Sequence, residues 1–369
     1  MRAALIREIG QPFQVEEVTI AAPVGKEVVV DIRASGLCHS DITVARNGMG
    51  IGLPAVLGHE ISGVVTAVGP LATRIKVGDH VVAAALQPCG HCQACLRGNL
   101  NGCSNPGSLD RDDDASPRLD VDGTPVVQMQ GLGGFAEQAL IHENQLVAID
   151  TRMSFEQASI IGCAVATGAG AIFNSAKVSP GQSIAVFGCG GVGLNAIQAA
   201  ALAGATTIIA VDIQPDKLAL ARKFGATALV DSGTEDAAER ILELTGGTGV
   251  DHAFVMIGVP AVAETAMASL GFGGTTYLVG GMRPGSALDV RPSPADSALL
   301  SKQQGVRGVW LGSSNFYADI PMYVDLYLQG KLNLDDLISQ EIELTEINEA
   351  YETLEGGGIA RSVITFPAR

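Results

Sequence analysis

Cys89, Cys92, Cys95 and Cys103 fall in one short run with the spacing C-x2-C-x2-C-x7-C. Four soft thiolates so close together meet the closed tetrahedral demand of a structural zinc. Iron–sulfur clusters also use tightly spaced cysteines, although no proline follows the fourth one here. Structural zinc is the reading adopted, and His91, inside the run, is not needed to complete it. A second group is dispersed along the chain. GLCHSDIT (36–43) sets Cys38 beside His39, PAVLGHEISG supplies His59 and Glu60, and GCAVATGAG supplies Cys163. Neighbouring side chains in extended backbone point to opposite faces, so one metal would take only one of Cys38 and His39. Cys38, His59 and Cys163 could form an open Cys2His set with a position left for water or substrate. On residue types alone, buried structural thiols and a core histidine explain the same residues more simply.

GCGGVG places Gly188, Gly190, Gly191, Val192 and Gly193 in the pattern G-x-G-x-x-G. Alone the pattern is weak, but it follows the apolar run SIAVF and opens a helix-like segment. The amides and dipole at such a helix start suit a pyrophosphate. The next strand-like run ends at Asp212, nineteen residues after Gly193. A carboxylate there accepts both ribose hydroxyls and repels a 2′-phosphate, which favours NAD over NADP; an ordinary strand-end aspartate is the alternative. Lys217 either helps hold that ribose or is a solvated helix lysine. Cys189 reads as a small apolar filler.

The elements that must position these groups come in two styles. The first ~160 residues carry short β-rich segments between glycines, among them EVVVDIRASG, EISGVVTAVG and GDHVVAAAL. From Ser183 apolar strands alternate with amphipathic helices. The strands are SIAVF, TIIAV, ATALV, DHAFVMI, TTYLV and VRGVWL. The helices include LNAIQAAALAG, PDKLALARKFG and EDAAERILELT, the last with Thr234 as its expected cap. That rhythm describes an α/β doubly wound parallel sheet. A helical IPMYVDLYLQG and a strand-like RSVITF close the chain and are expected to return to the first domain.

The chain has 369 residues, 47% of them hydrophobic, and a formal charge of −16. That length suits two domains, and disorder is disfavoured. Without a basic stripe, nucleic-acid binding is disfavoured. No apolar run approaches the ~20 residues of a membrane span, and MRAALIREIG is a poor signal peptide. The cytoplasm is the expected compartment, where seven cysteines suggest metal or catalysis rather than disulfides. The acidic stretch DRDDDASPRLDVDG (110–123) lacks a calcium-loop order of ligands and is expected to be a solvated, mobile loop.

Taken together, GHEISGVVTAVG, CHSD, GCAVATGAG, the four-cysteine lobe and GCGGVG resemble the zinc-dependent medium-chain alcohol dehydrogenases over essentially the full length. That family is also the standard example of a catalytic Cys2His zinc. The resemblance implies a GroES-like β-rich catalytic domain at 1–164 and 311–369, with the structural zinc lobe at 89–103. A Rossmann NAD-binding domain would occupy 165–310. Two zinc ions per chain and NAD are the implied cofactors. By position, Cys38, His59 and Cys163 resemble the catalytic zinc ligands, and Glu60 the glutamate that approaches the metal during ligand exchange. Asp41 matches the carboxylate that orients the histidine, and Ser40 the hydroxyl that bonds the alcohol. Thr167 and Val279 join the cofactor-binding set, with His39 and Arg361 set against the pyrophosphate.

The implied reaction passes hydride from a primary alcohol to NAD+, giving an aldehyde. Many relatives continue the proton relay to a histidine three residues after the serine, where this chain has Thr43. Ala85, in place of a bulkier residue, suggests a roomy pocket for medium-length or aromatic alcohols, with Met129 and Trp310 as apolar walls. The rival of the same fold oxidises S-(hydroxymethyl)thiols, but the arginine of glutathione-using relatives is absent around Asn105, Pro106 and Gly107. A non-catalytic NAD- or zinc-binding protein is the rival of a different class. A homodimer is expected, with a tetramer as the alternative.

Overall fold

The computed structural model describes residues 1–112, 115–282, 285–290, 298–356 and 361–368. They form two compact units. The first is Met1–Cys163, Asn315–Gly330 and Leu334–Arg369; the second is Ala164–Ser314 and Lys331–Asn333. The expected divisions at 164/165 and 310/311 therefore fall at 163/164 and 314/315. Lys331–Asn333 joins the second unit, where the Asn333 amide donates to Gln198 Oε1 at 2.9 Å.

Within the first unit the strand Glu27–Gly36 is almost wholly buried. Its β-branched run Val28–Val29–Val30 suits a pleated surface covered on both sides. It pairs antiparallel with Glu60–Val68, Gln138–His142 and the late strand Ser362–Thr365. The expected return of RSVITF is thus observed, with Val363 opposite Gly36. Gly36 also lies opposite Glu60 in the register. Sheet pairing alone therefore brings the segment leading to Cys38 beside the one carrying His59. The helix His39–Asn47 starts immediately after Cys38 and ends at Gly48.

The second unit holds a six-stranded parallel sheet. Its spatial order is Ala228–Asp231, Thr207–Asp212, Ser183–Phe187, Val250–Val255, Leu270–Leu278 and Gly305–Gly308. In chain order this reads third, second, first, fourth, fifth, sixth, the doubly wound arrangement expected. Ala185, Phe187, Val211, Val230, Ile241 and Val255 belong to the apolar core of one sheet face. The order reverses beside Ser183–Phe187, which puts the glycine loop at the switch point where such sheets take ligands.

Several local expectations change. The helix Ala237–Leu244 is capped by Asp236, whose carboxylate accepts the Glu239 amide at 3.0 Å. Thr234 instead turns back to the Asp231 carbonyl at 3.3 Å. Only the first three residues of VRGVWL lie in a strand, Gly305–Gly308; Trp310 leads into a 3-10 turn and is 64% exposed. The acidic stretch 110–123 is not a free loop at its ends. Arg111 Nη2 and Nε meet Glu27 at 2.6 and 2.8 Å, and Arg118 Nε meets it at 2.8 Å. Leu119–Val121 then pairs with Thr124–Gln128. The part of that expectation concerning residues 113 and 114 lies outside the described residues. Among the described residues, no single helix is long and apolar enough to cross a membrane.

Candidate active site

The first unit brings Cys38, His59, Glu60 and Cys163 together, with one ligand atom from each lying within 4.8 Å of the others. All four are buried. Asp41, itself fully buried, knits the site's segments. Its Oδ2 accepts the Cys38 amide at 3.2 Å, and its Oδ1 accepts the Gly58 amide at 3.0 Å. The same Oδ1 lies 3.0 Å from His59 Nδ1. With Nδ1–H donating to that carboxylate, the other ring nitrogen keeps its lone pair for a ligand. The Cys38 thiol is pulled well below the ordinary cysteine range, first by a hydrogen bond from Cys163, with Arg361 and His59 assisting against burial.

Glu60 tests whether this group fits a metal. Arg361 Nη2 lies 3.0 Å from Glu60 Oε1, yet the contact is not aligned as a hydrogen bond, and neither carboxylate oxygen has a hydrogen-bond partner. Burial pushes the Glu60 carboxyl up to about 7, with Arg361 opposing. A buried, unsatisfied carboxylate facing two thiols and an imidazole is the donor set a zinc ion would satisfy. Arg361, expected at the pyrophosphate, is buried and holds the Leu37 carbonyl with Nη1 at 3.0 Å besides facing Glu60. Sequence reasoning missed this pairing, since the two residues are far apart and share no motif.

His39 and Ser40 are exposed on the first turn of the helix His39–Asn47. Thr43, one turn on, donates its hydroxyl back to the His39 carbonyl at 2.9 Å. Ala85 and Met129 are buried in this unit.

The second metal group is the lobe, where Cys89, Cys92, Cys95 and Cys103 converge. Backbone amides point at its sulfurs: Cys89 and Asn105 donate to Cys103 Sγ at 3.3 and 3.4 Å, and Cys92 to Cys89 Sγ at 3.3 Å. Amides of Cys95 and Ser104 lead the effects that bring Cys92 down to about 5, whereas burial pushes Cys95 up to about 12. Amides aimed at sulfur favour thiolates, so this set also fits zinc.

In the second unit Gly188 has φ 97°, a turn that a side chain resists. A Cβ on Gly193 would overlap the Gly188 carbonyl, so helix and loop close up only with glycine there. The helix Gly191–Ala203 begins after Gly190, where a Cβ would meet nothing within 4 Å. Asp212 Oδ2 accepts the Cys189 amide at 2.7 Å and Oδ1 the Gln214 amide at 3.0 Å. Each oxygen keeps a further lone pair. Lys217 lies close enough to act electrostatically on Cys189, as does Asp212. Cys189 is buried, as a filler should be. Thr167 is buried with an unpartnered hydroxyl, and the Val279 amide is bonded to the Val255 carbonyl at 3.0 Å.

Residues 25–151 match the family model for the alcohol dehydrogenase GroES-like domain, and residues 191–328 match that for zinc-binding dehydrogenase. An NDMA-dependent alcohol dehydrogenase of Amycolatopsis methanolica is 37% identical, over 100% of this chain and 99% of its own. An alcohol dehydrogenase zinc-binding domain protein from Burkholderia ambifaria has a solved structure that matches with TM-score 0.93 and 39% identity, covering 100% of this chain and 99% of its own. Benzyl alcohol dehydrogenase from Acinetobacter calcoaceticus matches with TM-score 0.91 and 35% identity, over 99% of each chain. The chain belongs to the zinc-dependent medium-chain alcohol dehydrogenases, oxidoreductases built from a GroES-like domain and a Rossmann-like parallel sheet.

Proposed function

We propose that this protein oxidises primary alcohols, aromatic or of medium length, to aldehydes with NAD+ as hydride acceptor, and runs the reverse reaction. The observation that carries this reading is the convergence of Cys38, His59, Glu60 and Cys163 under the control of Asp41. Cys38, His59 and Cys163 would hold a catalytic zinc, with Glu60 as a further oxygen donor, and the lobe cysteines a structural one. Zinc in such a three-ligand set supplies a Lewis acid with a position left for the substrate oxygen. The nicotinamide supplies the hydride acceptor.

The chain's own residues do the rest. Asp41 fixes the His59 ring, exposed Ser40 accepts the proton leaving the alcohol and gives its own hydroxyl proton to solvent, and Thr43, committed to the His39 carbonyl, takes no part. The free lone pairs of Asp212 take ribose hydroxyls, and its charge rejects a 2′-phosphate. Amides at the start of the helix Gly191–Ala203 take the pyrophosphate. Arg361 is engaged by Glu60 and Leu37, so the loop's amides are the groups assigned to that charge. Thr167 and Val279 complete the cofactor-binding set. Ala85 and Met129, both buried, offer apolar walls for the alcohol. The solved benzyl alcohol dehydrogenase supports an aromatic substrate. Among the described residues Gly305–Gly308 is the last strand of its sheet, an edge that suits a homodimer, and the cytoplasm is the proposed compartment.

A panel of alcohols screened by cofactor absorbance with NAD+, NADP+ and NDMA in parallel tests the reading. Activity with benzyl or medium-length primary alcohols and NAD+ is expected, and Asp212→Ala should move the preference towards NADP+. Reduction of NADP+ but not NAD+ by the wild type would overturn the cofactor assignment. Activity confined to hydroxymethyl-thiols would overturn the substrate class.

A further inference from the structure

The environment of Gly36 carries an inference that rests on the metal reading of Cys38, His59, Glu60 and Cys163. Gly36 sits buried at the end of the strand Glu27–Gly36, opposite Glu60 and two residues before Cys38. Its φ lies outside the left-handed region, so the backbone does not demand glycine there. Space does. A Cβ at position 36 would overlap Glu60 Oε2, while standing 3.1 Å from Glu60 Cβ and 3.2 Å from Cδ. The carboxylate thus lies directly over the bare Cα. Its other oxygen faces Arg361 Nη2 at 3.0 Å, and Arg361 Nη1 is tied to the carbonyl of Leu37, the residue after Gly36. Glu60 is therefore confined between a floor without a side chain and a guanidinium anchored to the same strand end.

We propose that Gly36 is a positioning residue: its missing side chain lets the Glu60 carboxylate lie across the strand within ligand reach of Cys38, His59 and Cys163. The atom most obstructed by a methyl group is the tip of a side chain, so a substitution shifts the carboxylate rather than the fold. Glu60 Cβ need move only by a few tenths of an ångström. The consequence is read in how the site retains its metal. A displaced carboxylate removes the oxygen donor beside the two thiolates and the imidazole, and lost supporting groups of this kind cost roughly 10- to 100-fold in affinity.

The test is a double-mutant cycle on zinc release. Wild type, Gly36→Ala, Glu60→Ala and the double variant are loaded with zinc, counted by elemental analysis, and mixed with a chromogenic chelator. The release phase that disappears in Cys163→Ser is assigned to this site. Gly36→Ala and Glu60→Ala should each speed that phase by roughly 10- to 100-fold. The double variant should match Glu60→Ala alone, because without the carboxylate the methyl group has little left to displace. The lobe's phase should not change. Wild-type release from Gly36→Ala, or effects that multiply in the double variant, would overturn the proposal. Should Gly36→Ala fail to fold, recovery of folding on adding Glu60→Ala supports it and lack of recovery overturns it. A wild type with no Cys163-dependent zinc overturns the metal reading itself, an outcome distinct from the others.

Discussion

GLCHSDIT is assigned four proposed roles in consecutive residues, and the four side chains meet different surroundings. Cys38 is buried in the ligand cluster, Asp41 braces His59, and His39 and Ser40 stand exposed on the helix's first turn. Thr43 is bonded to its own helix at the His39 carbonyl, a common fate of threonine one turn into a helix. Ser40→Ala should therefore lower kcat by roughly 100-fold or more, the scale of a lost proton-transfer group. Thr43→Ala should leave kcat close to wild type, since its hydroxyl is committed elsewhere. Steady-state rates on one alcohol decide this; comparable losses in both variants contradict the assignment. That Cys38, His59, Glu60 and Cys163 should converge near Asp41 was legible because the family resemblance aligns them one by one. Arg361 was legible as a late arginine but not as the partner of Glu60. That pairing depends on two strands meeting the same neighbour, Glu27–Gly36, and leaves no local pattern.

At the level of elements, alternation and glycine spacing located the six strands of the second unit, whereas charged side chains reaching across the chain stayed hidden. The acidic stretch after the lobe shows why. Its composition reads as solvated, yet Arg111 and Arg118 both close on Glu27 at the start of the central strand. Thr234 was likewise an acceptable cap by type, but the Asp231–Glu235 turn uses it and leaves Asp236 to cap the helix. Glu27 carries a pH dependence. Burial would raise its carboxyl, but hydrogen bonds from Arg111, the Val24 amide and Arg118 outweigh it and hold the group below its ordinary value. A group depressed in the folded state adds stability above its unfolded pKa, about 4.3. That contribution fades as pH falls through the lower folded value. Glu27→Gln should cost about 2 kcal/mol at neutral pH, because two arginines lose a charged acceptor. Thermal melts across a pH series should show the gap to wild type closing on acidification; a gap that widens towards acid contradicts the sign.

For the whole molecule, two zinc-fitting clusters in the first unit and a dinucleotide loop in the second define what must be bound before turnover. Elemental analysis should return two zinc per chain, falling to one in Cys163→Ser with the lobe intact. Dialysis against a strong chelator should abolish alcohol oxidation, and added zinc should restore it. The lobe was legible by residue type and spacing, the dispersed cluster only through the family resemblance, and the relation of Gly36 to Glu60 needed the register of two strands. The central claim is that hydride leaves the carbon of an alcohol and arrives on a nicotinamide held by this chain. Benzyl alcohol deuterated at its carbinol carbon tests it most directly, with mass spectrometry of the cofactor after a single turnover. The account predicts reduced NAD carrying one deuterium from the alcohol. Unlabelled or unreduced cofactor, with the alcohol consumed, would contradict it.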